Sequence, residues 1–197
     1  MLHDSERLGR VVGEDEAAAV AQCCLARCTA PRNEVDDQAS WRRGGTHDPL
    51  EDTEWLLRWV AELLLAGDVD RAFSISGGLH HAMPGSASGF CVFNDPVLAI
   101  KELLERGMKV AYVDIDCHHG DGVQHAFYNS DQVLTISLHQ SGSHLFPGTG
   151  FVHEMGSDKG LGYSVNVPLY PSTTDDIYLW AFSNLVPPLV QAFKPDI

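Results

Sequence analysis

Asp114, Asp116, His118, His119 and Asp121 place five ionisable groups within eight residues, directly after the apolar run Val110 to Ile115. In an extended chain residues two apart share a face, so Asp114, Asp116 and His118 can all point the same way. A carboxylate and an imidazole so spaced can close on one metal. Gly120 and Gly122 give the backbone room to turn tightly beneath them. Read as a capping loop with satisfied polar groups, this density would be costly beside an apolar strand, so a binding or catalytic reading is preferred. A second set, Gly78-Leu79-His80-His81, puts two imidazoles after a strand-to-loop turn, and Gly85 to Cys91 is small and flexible enough to wrap a narrow ligand. Together they suit metal-assisted hydrolysis, in which zinc lowers the pKa of a bound water to about 7 and an imidazole collects the proton. Asp114 and Asp121 are available to hold each imidazole in one tautomer.

These residues need elements to present them. Val110 to Ile115 reads as a strand buried on both faces, with the polar cluster at its carboxyl end, where an open α/β sheet keeps its active site. Strands are also expected at Ala72 to Ser76, Val133 to Leu138 and Ser164 to Pro168. A helix with Leu56, Trp59, Val60, Leu63 and Leu64 on one face should begin at Asp52 or Thr53 and stop at Gly67. Another should run from about Pro96 to Arg106, capped by Asn94 or Asp95, with Val97, Ile100 and Leu104 facing inward and Gly107 ending it. A last helix starts at Thr174, and residues 193 to 197 read as a loop leading into a further buried strand. Strands alternating with helices predict a mostly parallel sheet covered on both faces. Upstream, Glu14 to Arg27 has helix formers but a weak apolar face, and Thr29 to Pro49 reads as loop.

The chain has 197 residues, 44% of them hydrophobic, which fits a globular protein with a substantial core. Its net charge of −14 argues against nucleic acid or an anionic membrane as partner, since both need a basic surface. Acidic residues exceed basic ones on both sides of Asp70, so no acidic tail accounts for the imbalance. Five cysteines make neither a CxxC pair nor an even disulfide framework, and no run approaches the ~18 apolar residues of a membrane span. The chain therefore reads as reduced and cytoplasmic.

The segments GGLHHAMPGSASGFCVFND, YVDIDCHHGDGVQHAFY, LTISLH, FPGTG and GYSVNVPL, in that order, resemble successive motifs of the zinc-dependent histone deacetylase family, of the prokaryotic acetoin-utilisation type. The match runs from about Ala72 to Ile197, while residues 1–70 match weakly and are expected to contribute helices. His47-Asp48-Pro49 stands where the family has a substrate-rim loop. The resemblance implies a three-layer α/β fold of the arginase and deacetylase type, in one domain, of which residues 71–197 would be the N-terminal part of the catalytic region. An arginase-like reading shares the fold but needs more carboxylates for two manganese ions.

For the site, the resemblance implies zinc on Asp116 and His118, His81 as general base, and His80 as a charge-stabilising second histidine. Asp114 and Asp121 would buttress His80 and His81. The Gly89 carbonyl would accept the substrate amide N–H, and Phe90 and Phe146 would wall a tunnel for the chain of an acetylated lysine or an acetylated small amine. A structural monovalent cation, K+, would sit by Asp114, Asp116, His118, Ser137 and Leu138, and a second near Phe127, Val133 and Tyr163. The family's third zinc ligand and carbonyl-polarising tyrosine belong to later motifs absent from these 197 residues. The expectation is then a truncated domain with loosely held zinc and turnover at or near background, unless His119 or Asp158 completes the site. The alternative is a non-catalytic metal-binding or regulatory module.

Overall fold

The computed structural model describes residues 61, 64–67, 69–74 and 77–197. The chain divides into two compact units, 1–74 and 75–197. In the first, residues 61, 64 and 65 are helical, and Gly67 (φ +71°) closes the turn with its N–H on the Leu64 carbonyl, where the sequence predicted a helix stop. The expected helices at 14–27 and 52–60, the loop 29–49 and the rim loop 47–49 lie outside the described residues. The expected strand at Ala72 to Ser76 is not formed over 72–74: these residues have no ladder partner and Phe73 is 87% exposed, while 75 and 76 lie outside the described residues.

The second unit is built on a three-stranded parallel sheet in the order β1 (Val110–Asp114), β2 (Val133–Gln140), β3 (Ser164–Leu169). The register pairs Asp114 with Ser137, and Ser137 in turn with Asn166. β2 is central and buried along nearly its whole length. Alternation sends Leu134, Ile136 and Leu138 to one face, where α3 (Asp175–Phe193) covers them with Ala181, Val186 and Phe193. The other face meets α1 (Asp95–Glu105) and α2 (Asp121–Phe127), which pack against each other and reach β1 and β2. The three layers expected from the sequence are thus present.

α1 begins where the cap chemistry placed it: the Asn94 side chain accepts the Val97 N–H, and Pro96 occupies a first-turn position that needs no N–H. Its buried face is Val97, Ile100 and Leu103. α2 was not expected, because its apolar residues Val123 and Phe127 fill only two turns beside a polar cluster. β1 departs from expectation in two ways: it stops at Asp114, leaving Ile115 66% exposed, and its middle residues are only half-buried. It has β2 on one side only. Along its other edge Ile197 makes the two bonds of a parallel neighbour, N–H to the Lys109 carbonyl (3.3 Å) and carbonyl to the Ala111 N–H (2.9 Å). Among the described residues no helix is long and apolar enough to cross a membrane.

Candidate active site

His80 and His81 are fastened from both helices. The Asp95 carboxylate in the first turn of α1 accepts the N–H groups of Gly78 (2.7 Å) and Leu79 (2.6 Å). Asn94 donates to the Ala82 carbonyl, and the Gly122 N–H of α2 donates to the His80 carbonyl. The close approach explains the glycines: a Cβ on Gly122 would collide with the backbone of 80 and 82, and one on Gly120 with the Asp114 carboxylate. The glycines therefore serve packing more than turning.

Both rings are buried, with centroids 4.1 Å apart. His80 Nδ1 meets Asp114 Oδ2 at 2.7 Å, and His81 Nδ1 meets Asp121 Oδ1 at 2.7 Å. A carboxylate on each Nδ1 fixes the tautomer that leaves the Nε2 lone pair available. Burial works against a charged His80, but the hydrogen bond and charge of Asp114, with Asp116 and Asp121 behind it, outweigh this and hold its pKa above the ordinary histidine value. Asp114 shows the converse. Burial pushes its pKa up, yet His80, the Tyr112 hydroxyl (2.7 Å to Oδ2) and the Asp116 N–H (3.0 Å to Oδ1) bring it below the usual range.

Beyond Asp114 the chain leaves the sheet and folds on itself. Asp116 Oδ1 accepts the His118 backbone N–H at 2.7 Å and lies 3.0 Å from His118 Nδ1. Burial opposes ionisation of Asp116, but these His118 contacts prevail and its pKa is lowered. The Cys117 thiol lies 3.3 Å from the same ring nitrogen. Asp116, Cys117 and His118 form the only group of three metal-donor side chains among the described residues, all donor atoms within 4.8 Å of one another. The donor set of carboxylate, imidazole and thiol suits zinc, so the residues fit the metal that the sequence led us to expect. The His118 ring stands 5.9 Å from that of His81.

Gly89 (φ +53°) lies against His81, where any Cβ would collide with the ring, and its carbonyl accepts from the Cys91 thiol at 3.3 Å. Phe146 stands edge-on to His81 at 5.0 Å and is 49% exposed, while Phe90 is fully exposed. The expected tunnel is therefore an open rim here. An open groove of about 430 Å³ is lined by Gly78, His80, Tyr112, Asp114 and Asp116 among others. Ser137 pairs with Asp114 in the β1–β2 register, and Leu138 follows it along β2.

Two residues offered as completing the site do not reach it. Asp158 opens a 3-10 turn, η1 (Asp158–Gly160), that packs near Tyr128 and Ser130, towards the amino end of β2. His119 turns inward, 1% exposed, with Nδ1 at Thr149 Oγ1 (2.8 Å) and Nε2 at Gln124 Oε1 (3.2 Å). Burial and the neighbouring His139 push its pKa down to about 4, against weaker opposition from Glu154, Gln124 and Asp121. His139, bonded to Ser137 Oγ and the Gly150 carbonyl, is likewise lowered by burial. Glu154 closes the network by accepting from Gln124, Gly150 and Phe151. None of His139, Gln124, Thr149 or Glu154 was singled out from the sequence; the histidine inside LTISLH was the available signal.

Residues 56–197 match the model of the histone deacetylase domain. This chain belongs to the histone deacetylase family. The acetoin utilization protein AcuC of Staphylococcus xylosus is 44% identical over 139 residues, 70% of this chain and 36% of that protein. AcuC of Bacillus subtilis (strain 168) matches with the same identity and coverage. Among solved structures, an HDAC homologue complexed with SAHA superposes with a TM-score of 0.68 at 41% identity, over 72% of this chain and 38% of that one. The HDAC homologue from Aquifex aeolicus gives 0.70 at 34% identity, over 94% and 51%. The chain thus spans little more than a third of the length of the curated relatives it matches.

Proposed function

We propose that this site serves zinc-dependent hydrolysis of the amide in an acetylated lysine side chain or a similar acetylated small amine. The observation that carries the reading is the pair of buried dyads, His80–Asp114 and His81–Asp121, set beside the donor atoms of Asp116 and His118. Zinc held by Asp116 and His118 would supply a Lewis acid for the amide carbonyl and for the attacking water. His81, with Nδ1 engaged by Asp121, accepts the water proton at Nε2 as general base. His80, its pKa raised beside Asp114, stabilises the developing negative charge. The Gly89 carbonyl accepts the substrate amide N–H, and Phe90 and Phe146 border the acyl-lysine chain. Asp114, Ser137 and Leu138 would hold a structural K+. Family membership and the SAHA-bound relative support the substrate class. Free Cys91 and Cys117 fit a reducing cytoplasm.

Turnover by the chain of 197 residues should be weak, because Asp116 and Phe90 are open to water, where electrostatic stabilisation is worth less than in a dry site. The test offers zinc-loaded protein an acetyl-lysine peptide and, separately, arginine. Acetate release without urea is the expected result; urea from arginine would move the assignment to the ureohydrolase reading.

A further inference from the structure

Between β2 and β3 the chain makes one excursion, residues 141–163, with Phe146 near its start. Its entry is fastened by backbone: the Gln140 N–H donates to the Cys117 carbonyl (2.9 Å) and the Ser141 N–H to the Leu169 carbonyl (2.8 Å). The segment then closes on itself. Gly142 lies so near Thr149 that a Cβ there would strike its backbone, and the Gly148 N–H bonds back to the Leu145 carbonyl. The exit, residues 149–151, differs: among the described residues, the hydrogen bonds that tie it to the elements underneath run through side chains. Thr149 Oγ1 meets His119 Nδ1 at 2.8 Å, the Gly150 carbonyl meets His139 Nε2 at 2.9 Å, and the Gly150 and Phe151 N–H groups both go to the Glu154 carboxylate at 3.0 Å.

Glu154 also decides where the protons of this network sit. An ionised carboxylate only accepts, so the Gln124 amide turns its NH2 to Glu154 Oε2 (2.7 Å) and its oxygen the other way. There Gln124 Oε1 accepts from Ser164 Oγ (2.9 Å) and Asn166 Nδ2 (2.6 Å) and faces His119 Nε2 (3.2 Å). The His119 proton therefore sits on Nε2, and its bare Nδ1 accepts the Thr149 hydroxyl. His139 follows the same rule, donating from Nε2 to Gly150 and accepting from Ser137 at Nδ1. From this arrangement we infer that Glu154 is a positioning residue: it sets the proton arrangement that fastens the exit of the loop, and through the loop it holds Phe146 edge-on to His81. The inference rests on the reading of Phe146 as a wall of the acyl-lysine site, and it explains what keeps that half-exposed wall in place.

The experiment uses the full chain near neutral pH with excess zinc, para-fluorophenylalanine at position 146 and isotope-labelled histidine. Fluorine NMR reads the surroundings of the Phe146 ring, nitrogen NMR reads which His119 nitrogen carries the proton, and titration with an acetyl-lysine peptide reads binding. Wild type should give a single fluorine signal with the His119 proton on Nε2. Glu154→Gln should displace or split the fluorine signal, spread the His119 proton over both nitrogens, and weaken the peptide about tenfold, the loss expected when one aromatic wall no longer covers the ligand chain. Ile136→Val, which trims the core on the α3 face of β2, should alter none of the three. Should Glu154→Gln not fold, Thr149→Val carries the test: it removes only the hydroxyl that His119 holds, and it should displace the fluorine signal while the His119 proton stays on Nε2. An unchanged fluorine signal in the folded variants, or an unchanged His119 tautomer in Glu154→Gln, overturns the inference. A displaced signal in a protein whose wild type does not bind the peptide would leave the loop anchored as inferred and overturn the acyl-lysine reading instead.

Discussion

Acidifying the protein should destabilise it between about pH 6.5 and pH 4, through the buried histidines of the inward-facing network. His119 has a pKa of about 4 in the fold against an ordinary 6.5, so the unfolded chain takes up its proton first. Stability rises with pH wherever the unfolded state binds more protons, so the contribution is complete above 6.5 and is lost as pH falls through 4. The shift of about 2.5 pH units caps this at ~3 kcal/mol, of which about 2 kcal/mol has gone by about pH 5. His139, lowered as well, adds in the same direction. The dyad behaves differently: His80, raised in the fold, stabilises most below 6.5 and loses that contribution as pH rises through its folded value, whereas Asp114, lowered, contributes in full above its ordinary 3.8 and loses that contribution only as pH falls below it. Urea unfolding followed by circular dichroism at half-unit steps of pH checks this, with His119→Gln alongside. The variant should flatten the acid limb by about 2 kcal/mol at about pH 5. An acid limb of the same slope in His119→Gln would refute the reasoning.

Gly89→Ala should distort the site, since the new Cβ meets the His81 ring and φ +53° is strained for any side chain; chemical-shift changes at His81 and loss of any turnover measure it, and an undisturbed His81 signal would contradict the packing. Ile136→Ala, which empties a fully buried position of β2, should lower the unfolding free energy from urea titration by about 2–5 kcal/mol. Tyr112→Phe removes a hydroxyl bonded to the Asp114 carboxylate, costing about 2 kcal/mol and letting the Asp114 pKa rise, which carboxyl-carbon NMR titration reads directly.

The elements that carry the site were legible wherever one local signal sufficed. Asn94 and Pro96 announced the start of α1, and the β-branched run from Val133 announced β2. That Asp114 and Asp121 buttress His80 and His81 was what the family resemblance implied; in the fold His80 meets Asp114 and His81 meets Asp121, each at 2.7 Å. The strand at Ala72 to Ser76 failed over its described residues because apolar β-formers do not make a strand without a ladder partner. His119 was misread because the chain beyond Asp114 leaves the extended path, so alternation no longer tells which way its ring turns. Its partners Thr149, Gln124 and Glu154 come from three separate segments, a juxtaposition that only the tertiary fold creates.

The most direct test of the central claim is the rate of acetate release from an acetyl-lysine peptide by the zinc-loaded chain, measured for wild type, for wild type stripped with a chelator, and for His81→Ala. Removing a general base typically costs about 100- to 10,000-fold, so the account predicts weak turnover that vanishes both on stripping and in His81→Ala and returns to wild type when zinc is restored. Turnover that survives His81→Ala or metal removal would contradict the account, and one equivalent of bound zinc with no turnover at all would make the chain a metal-binding module instead.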